Sequence, residues 1–250
     1  MNKIILILSL TISSLFSQDI IITTGEWNPW VGKDLKKNGV AIDIVTKVLK
    51  DTGYNPKVSY YSWNRAYKLA ARGKVADATA VWFMKDERKK DFYFSDAIFS
   101  TQDILVYKKG ENIKFDKLSD LKKYKIAITR GYSYGQDIDN MIEYKELKVT
   151  TVNSDIEGLN RLIKRKSIDI FLCANSVAKS LINSSFTKEE SSKLAIYSKS
   201  TITNPLYFLV SKKTKDGQKI IDDFNKSLKK FHANGEINKM LEDSLNGKYK

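Results

Sequence analysis

One cysteine and one histidine are all that this 250-residue chain contains of the two commonest transition-metal ligands. The lone Cys173 excludes an intramolecular disulfide and any cysteine-based metal cluster, and the lone His232 excludes a multi-histidine centre. Cys173 lies in the apolar run Ile168–Ala174, where a free cysteine behaves as a small buried hydrophobe. His232 falls near the end of a predicted helix, where the helix dipole favours a cation. No cofactor and no metal are expected. Long hydrophobic runs are also missing: after the N-terminus nothing approaches the ~20 apolar residues that a membrane span needs. Low-complexity tracts and short repeats are absent as well.

Positive charge is abundant. Forty-three Lys and Arg against 29 Asp and Glu give a formal net charge of +14. The lysines are dispersed rather than blocked, and no basic stretch is interleaved with aromatics as single-strand binders require. Nucleic acid is therefore not the expected partner. The excess reads as a solvated lysine-rich surface that also suits an anionic ligand.

The first residues, Met1-Asn2-Lys3, precede the apolar run Ile4–Leu10 and the small polar Ser13, Ser14 and Ser17. This order is that of a secretory signal peptide over residues 1–17, cut after Ser17, with a retained anchor as the alternative. Export to the periplasm follows from the first reading.

Beyond it, strand and helix signals alternate, which indicates α/β architecture. Asp19–Thr24 reads as a strand ending at Gly25. Val40–Leu49 places Val40, Ile44, Val45, Val48 and Leu49 on one helical face. Strand signals follow near Lys57–Tyr60, at Ala76–Val81 and at Asp103–Tyr107, with a helix from Asn64 to Arg72 that Gly73 stops. The pattern restarts at Lys125–Thr129, with a helix from about Tyr134 to Glu146. Ser154-Asp155-Ile156-Glu157 is a capping box, repeated at Thr187–Glu190. Apart from Asp169, Ile168–Ala174 is apolar, as a strand buried on both faces must be. Leu206–Val210 is a last strand, before two helices separated at Asn234-Gly235. Two lobes are expected: residues 18–106 with 206–250, and residues 107–205. The joints fall at 104–108 and 203–206.

All four tryptophans, Trp27, Trp30, Trp63 and Trp82, lie in the first third of the chain, each read as following a short strand. In open α/β sheets ligands bind beyond the carboxyl ends of strands. An indole offers a flat apolar face and one N–H donor, which suits the wall of such a site.

Taken in order, Gly25-Glu26-Trp27-Asn28-Pro29-Trp30, Gly39-Val40-Ala41-Ile42-Asp43, Glu87-Arg88 with Phe94-Ser95-Asp96, Arg130-Gly131-Tyr132-Ser133-Tyr134 and Asn234-Gly235-Glu236-Ile237 resemble family 3 extracellular solute-binding proteins. The resemblance spans essentially the whole mature chain. It implies the type II periplasmic binding protein fold: two α/β lobes, two crossover strands and a cleft that closes on ligand. It also implies that the arginine at the place of Arg88 grips a ligand carboxylate, which a guanidinium fork matches with two parallel hydrogen bonds. Trp27 takes the place of a cleft wall, and Trp63 lies close to a second wall position. Arg65 is a further candidate, as is Trp30. Arg130, Tyr132 and Ser133 fall in the second-lobe loop that meets the carboxylate.

Two departures narrow the ligand. Relatives present small hydroxyl residues where this chain has Val81-Trp82-Phe83, and an acid for the ligand ammonium where it has Asn175. Glu26 is the candidate replacement anion. The expected ligand is a small carboxylate with an apolar or weakly cationic body, captured by a monomeric receptor and passed to an ABC-type membrane permease. The alternatives are a cyclohexadienyl dehydratase-like enzyme, with Glu26 as its acid, and a ligand sensor docking on a membrane signalling protein.

Overall fold

The computed structural model describes residues 17–164, 167–197 and 202–250, so residues 1–16 of the expected signal peptide lie outside the described residues. In chain order the elements are β1 (Asp19–Thr24), α1 (Val40–Asp51), β2 (Asn55–Tyr60), α2 (Trp63–Arg72), β3 (Ala78–Phe83), β4 (Phe92–Phe94) and β5 (Phe99–Lys108). There follow β6 (Lys125–Thr129), α3 (Gln136–Glu143), β7 (Lys148–Val152), α4 (Asp155–Lys164), β8 (Ile170–Ala174), α5 (Asn175–Ser185), α6 (Lys188–Ser192) and β9 (Leu194–Ile196). Then come β10 (Ile202–Ser211), α7 (Gly217–Ala233) and α8 (Glu236–Leu245). Among the described residues no helix is long and apolar enough to cross a membrane.

The strands form one path in the order β2-β1-β3-β10-β5-β8-β6-β7. Its two ends, β2-β1-β3 and β8-β6-β7, are parallel. Between them β10 and β5 run antiparallel to their neighbours. This is the two-lobed fold with two crossover strands that the resemblance implies. Strand β5 pairs with β10 from Phe99 to Asp103 and with β8 from Asp103 to Tyr107. Asp103 is thus the residue at which β5 passes from one neighbour to the other.

Both crossover strands are longer than the sequence patterns predict. Asn204 and Pro205 fall in the expected extended joint, and although Asn-Pro is a turn-favouring pair, they pair with Thr101 and Ser100. Tertiary pairing overrides local preference there, because a strand's stability comes mostly from its neighbours.

Alternation explains the unbroken apolar run in β8. Phe171 and Cys173 face one core, with Val106 and Leu159, while Ile170 and Leu172 face another, with Leu105, Leu121 and Ile126. Gly158 in α4 is the partner of that packing: a Cβ there would meet the Phe171 ring at 2.4 Å.

The expected helix stops are in place, with Gly73 left-handed at the end of α2 and Gly235 left-handed between α7 and α8. Thr187 and Glu190 form a reciprocal capping box. The earlier box is offset by one residue. Ser154 Oγ accepts from the Glu157 amide at 3.3 Å, but the Glu157 carboxylate turns back to the Asn153 amide at 2.9 Å. The C-terminal segment returns to the first lobe, where the Tyr249 hydroxyl donates to the buried Asp43 carboxylate at 2.6 Å.

Candidate functional site

The carboxyl ends of β1 and β3 and the loop after β6 converge on one cleft. Beyond β1, the backbone turns tightly from Trp27 to Val31, with hydrogen bonds between those two residues in both directions. This turn sets Trp27 and Trp30 beside each other, ring centroids 6.4 Å apart. Trp30 is the buried support: it packs on Phe99 at 5.1 Å, behind the Trp27 indole. Trp63 opens α2 and donates its indole N–H to the Glu26 carbonyl at 3.2 Å, tying the start of α2 to the same turn.

Trp63 also lies flat against Gly25, where a Cβ would fall 2.4 Å from the indole ring. Gly25 is required here for close approach rather than for backbone freedom. Gly25→Ala is expected to displace the Trp63 ring at a cost of about 1–3 kcal/mol, the usual penalty of overpacking. Urea unfolding would read that loss, and a shifted tryptophan emission maximum would place it at the cleft wall. An alanine variant with unchanged stability and emission would contradict the assignment.

Trp82 corrects the expectation that all four tryptophans follow a strand. It lies inside β3, and its Nε1–H donates to Thr79 Oγ1 at 2.7 Å. The strand can present it because β3 is irregular. Trp82 pairs with Tyr207 and Ala80 with Phe208, so Val81 is an extra residue with no counterpart on β10. Val81 has φ +69°, a left-handed conformation that is costly for a β-branched residue. A bulge of this kind re-aims side chains at the rim of a sheet. Nothing in the residue identities Val81-Trp82-Phe83 announces it.

Arg88 sits in a short 3-10 turn, Asp86–Lys90, and is only 6% exposed. One terminal nitrogen, Nη1, donates to the Phe83 carbonyl at 2.6 Å, and the guanidinium lies 4.7 Å from the Trp82 ring centroid. Its Nε–H is buried without a hydrogen-bond partner, and among the described residues no carboxylate lies within ion-pair distance. Asp86, two residues before it, pairs with Lys89 instead. Burial pulls the guanidinium pKa below its ordinary value. A buried guanidinium with an unmet donor is costly unless an anion arrives to pair with it.

From the other lobe, the loop after β6 brings Gly131, Tyr132 and Ser133 against this group. Tyr132 meets the edge of Trp27 at 6.5 Å. A Cβ on Gly131, which has φ +81°, would come 3.2 Å from the Asn64 side-chain oxygen. Lys85 reaches across to Asp139 of α3 at 2.9 Å, and Asp139 also accepts from the Ser133 hydroxyl and the Tyr134 amide. Aromatic contact and ion pair together hold the cleft walls close.

Two connected cavities result. The inner one leaves about 30 Å³ in which a water centre can sit, and is lined by Trp27, Trp63, Val81, Trp82, Phe83, Arg88, Gly131, Tyr132 and Ser133. The outer one, of about 820 Å³, shares Trp27, Trp63 and Tyr132 with it and adds Glu26, Lys33, Arg130 and Asp155 among its walls. Seven of the residues singled out in the sequence therefore meet at the inner pocket, and Glu26 and Arg130 stand at the outer mouth. Three line neither cavity. Trp30 is packed behind Trp27, while Arg65 is exposed and stacks on Tyr61 at 5.0 Å. Asn175 opens α5, with its Oδ1 buried and unpartnered.

Asp155 is the cleft residue that the sequence patterns missed. In the sequence it reads only as the second position of a capping box. Its place just beyond the end of β7, where α/β sheets bind ligands, was the available signal.

Comparison with known proteins bears on this geometry. Residues 20–246 match the family described as bacterial extracellular solute-binding proteins, family 3. Among solved structures, an ancestral arginine-binding protein bound to arginine superposes with a TM-score of 0.71 at 22% identity, over 90% of this chain and 97% of that one. The substrate-binding protein of an amino acid ABC transporter gives 0.70 at 19%, over 91% and 99%. A histidine kinase sensor domain similar to periplasmic binding proteins gives 0.75 at 12%, over 92% and 96%. At such identities the structural likeness establishes the fold: type II periplasmic binding proteins, with binding proteins for neighbours.

Proposed function

We propose, for a chain that belongs to the bacterial extracellular solute-binding proteins of family 3, a periplasmic receptor that captures a small carboxylate-bearing metabolite in an aromatic-walled cleft between its lobes. The observation that carries this reading is Arg88: a buried guanidinium with an unmet Nε–H, lining a pocket walled by Trp27, Trp63, Trp82, Phe83 and Tyr132. A ligand carboxylate supplies the missing acceptor and the missing charge, while the indoles bury an apolar or weakly cationic body. Trp27 and Trp63 come from one lobe and Tyr132 and Ser133 from the other. Ligand contact with both walls therefore favours the closed arrangement over the open one.

The lobes are taken as residues 18–106 with 206–250, and 107–205, in a monomer exported by the N-terminal segment. Delivery to an ABC-type importer is the first physiological reading, in keeping with the substrate-binding protein among the structural neighbours. The histidine kinase sensor domain, with the highest TM-score of the three, supports a second: docking of the closed form on a membrane signalling protein.

A thermal-shift panel of amino acids, other carboxylates, amines and sugars tests the ligand class. A ligand present at a hundred times its Kd adds about 2.7 kcal/mol of stability, which raises the Tm of a domain this size by about 5–10 °C. Carboxylates are expected to give shifts of that size. Stabilisation confined to neutral sugars would overturn the Arg88 assignment.

A further inference from the structure

Asp155, the first residue of α4, is 8% exposed. Its Oδ1 accepts from the Thr129 hydroxyl at 2.8 Å and its Oδ2 from the Tyr132 hydroxyl at 3.1 Å. An ionised carboxylate offers about four acceptor sites, so these two bonds leave part of its capacity unused. Among the described residues no Lys, Arg or His lies within ion-pair distance. Nor does the side chain cap its own helix, because the Glu157 amide is taken by Ser154. Burial raises its pKa, in the absence of any cation to offset it. The residue nevertheless forms part of the wall of the outer cavity.

Arg88 lines only the inner pocket and Asp155 only the outer cavity, whose walls also carry Glu26, Lys33 and Arg130, while Trp27, Trp63 and Tyr132 line both. The two charged groups thus come from opposite lobes and line two cavities that share one aromatic wall. Asn175, at the position where relatives carry an acid, lines neither cavity. We infer that Asp155 is the anionic pole of the cleft and that the ligand is a zwitterion whose cationic group is remote from its carboxylate, an ω-amino or guanidino acid rather than a simple α-amino acid. The inference rests on Arg88 as the carboxylate clamp. The aromatic faces between the poles suit such a molecule, since indoles attract a cationic chain as well as an apolar one.

Matched probes separate the two assignments. Calorimetric titration of the mature protein would use 4-aminobutanoate, 5-aminopentanoate, 6-aminohexanoate and 8-aminooctanoate, each beside its unsubstituted carboxylate, with glycine and alanine as short controls. At least one remote-cation probe is expected to bind about ten- to hundredfold tighter than its unsubstituted partner, the size of effect a charge-assisted hydrogen bond gives. Asp155→Asn should shrink that ratio to within about threefold, whereas Arg88→Ala should weaken both members of each pair while the ratio between them persists. In the unmutated protein the ratio should also fall as acid protonates Asp155, a readout that does not depend on any variant folding. Equal binding of every matched pair, or an Asp155→Asn protein that keeps the ratio, would overturn this inference and leave the Arg88 clamp standing. Binding of the unsubstituted acids that ignores Arg88→Ala would overturn the clamp itself, and failure of all probes to bind would overturn both.

Discussion

Arg88→Ala is expected to weaken binding of the preferred carboxylate by about 2–5 kcal/mol, a loss of roughly 30- to several thousandfold. The size follows from where the guanidinium sits. It is nearly fully buried, its Nε–H has no acceptor, and no carboxylate among the described residues lies within ion-pair distance of it. A ligand carboxylate bound there pairs with a desolvated charge, so removing the arginine leaves the other half of the pair stranded in an apolar pocket. Arg88→Lys keeps the charge and loses the planar fork, and should fall between the two. The controls matter because Arg88 also ties down the Phe83 carbonyl and stacks on Trp82. Calorimetry with the best carboxylate from the panel, on variants whose thermal unfolding remains cooperative, reads the effect. An Arg88→Ala protein that binds within about twofold of the original would remove the clamp.

The second large effect is on stability. Asp103 is 3% exposed at the point where β5 leaves β10 for β8, and burial pushes its pKa from 3.8 up to about 7, against the lowering effect of the Asn204 amide 2.5 Å away. Asp155 and Asp139 push it in the same upward direction as burial. In the folded protein Asp103 therefore holds a proton that the unfolded chain has already released. The stability this gives is complete below about pH 4 and is lost as pH rises through about 7. Its full size is about 4 kcal/mol. Asp103→Asn mimics the protonated form and keeps an oxygen for the Asn204 amide. Comparing urea unfolding of the two proteins at pH 4.5 and pH 8, the native protein should lose stability relative to the asparagine variant by up to that amount. Parallel pH profiles would show that Asp103 is ionised across the range.

Local patterns carried much of the fold. The Val40–Leu49 stripe, the glycines that stop α2 and separate the last two helices, and the doubly buried run of β8 each express a rule that spans only a few residues. Seven candidate residues meet at one pocket: Trp27, Trp63, Tyr132 and Ser133 follow strand ends, where α/β sheets bind ligands, while Trp82 and Phe83 close β3 itself and Arg88 follows it in a short turn. The failures share a cause. The Val81 bulge depends on its pairing with β10, the extra length of β5 and β10 depends on their pairing with each other, and neither contact is local. Asn175 and Arg65 went astray for a similar reason. Position along an element gives a side chain's direction only approximately, and lining a cavity depends on what packs around it.

The sequence alone determined which chemistry the cleft can hold: indoles and a guanidinium are fixed by residue identity, and clustering past strand ends follows from alternation and order. Trp27, Trp30 and Trp63 are legible on those terms, whereas Trp82 lies inside β3 and Arg88 was singled out by the resemblance. Only the tertiary structure decided their separate tasks. Trp30 became support and Trp82 a stacking partner within β3, while Arg88 was left with an unmet Nε–H and Asp155 in the wall of the cleft. Burial and the presence or absence of a counter-charge depend on residues brought together from distant parts of the chain, and these determine whether a charge is spent within the protein or kept for a ligand.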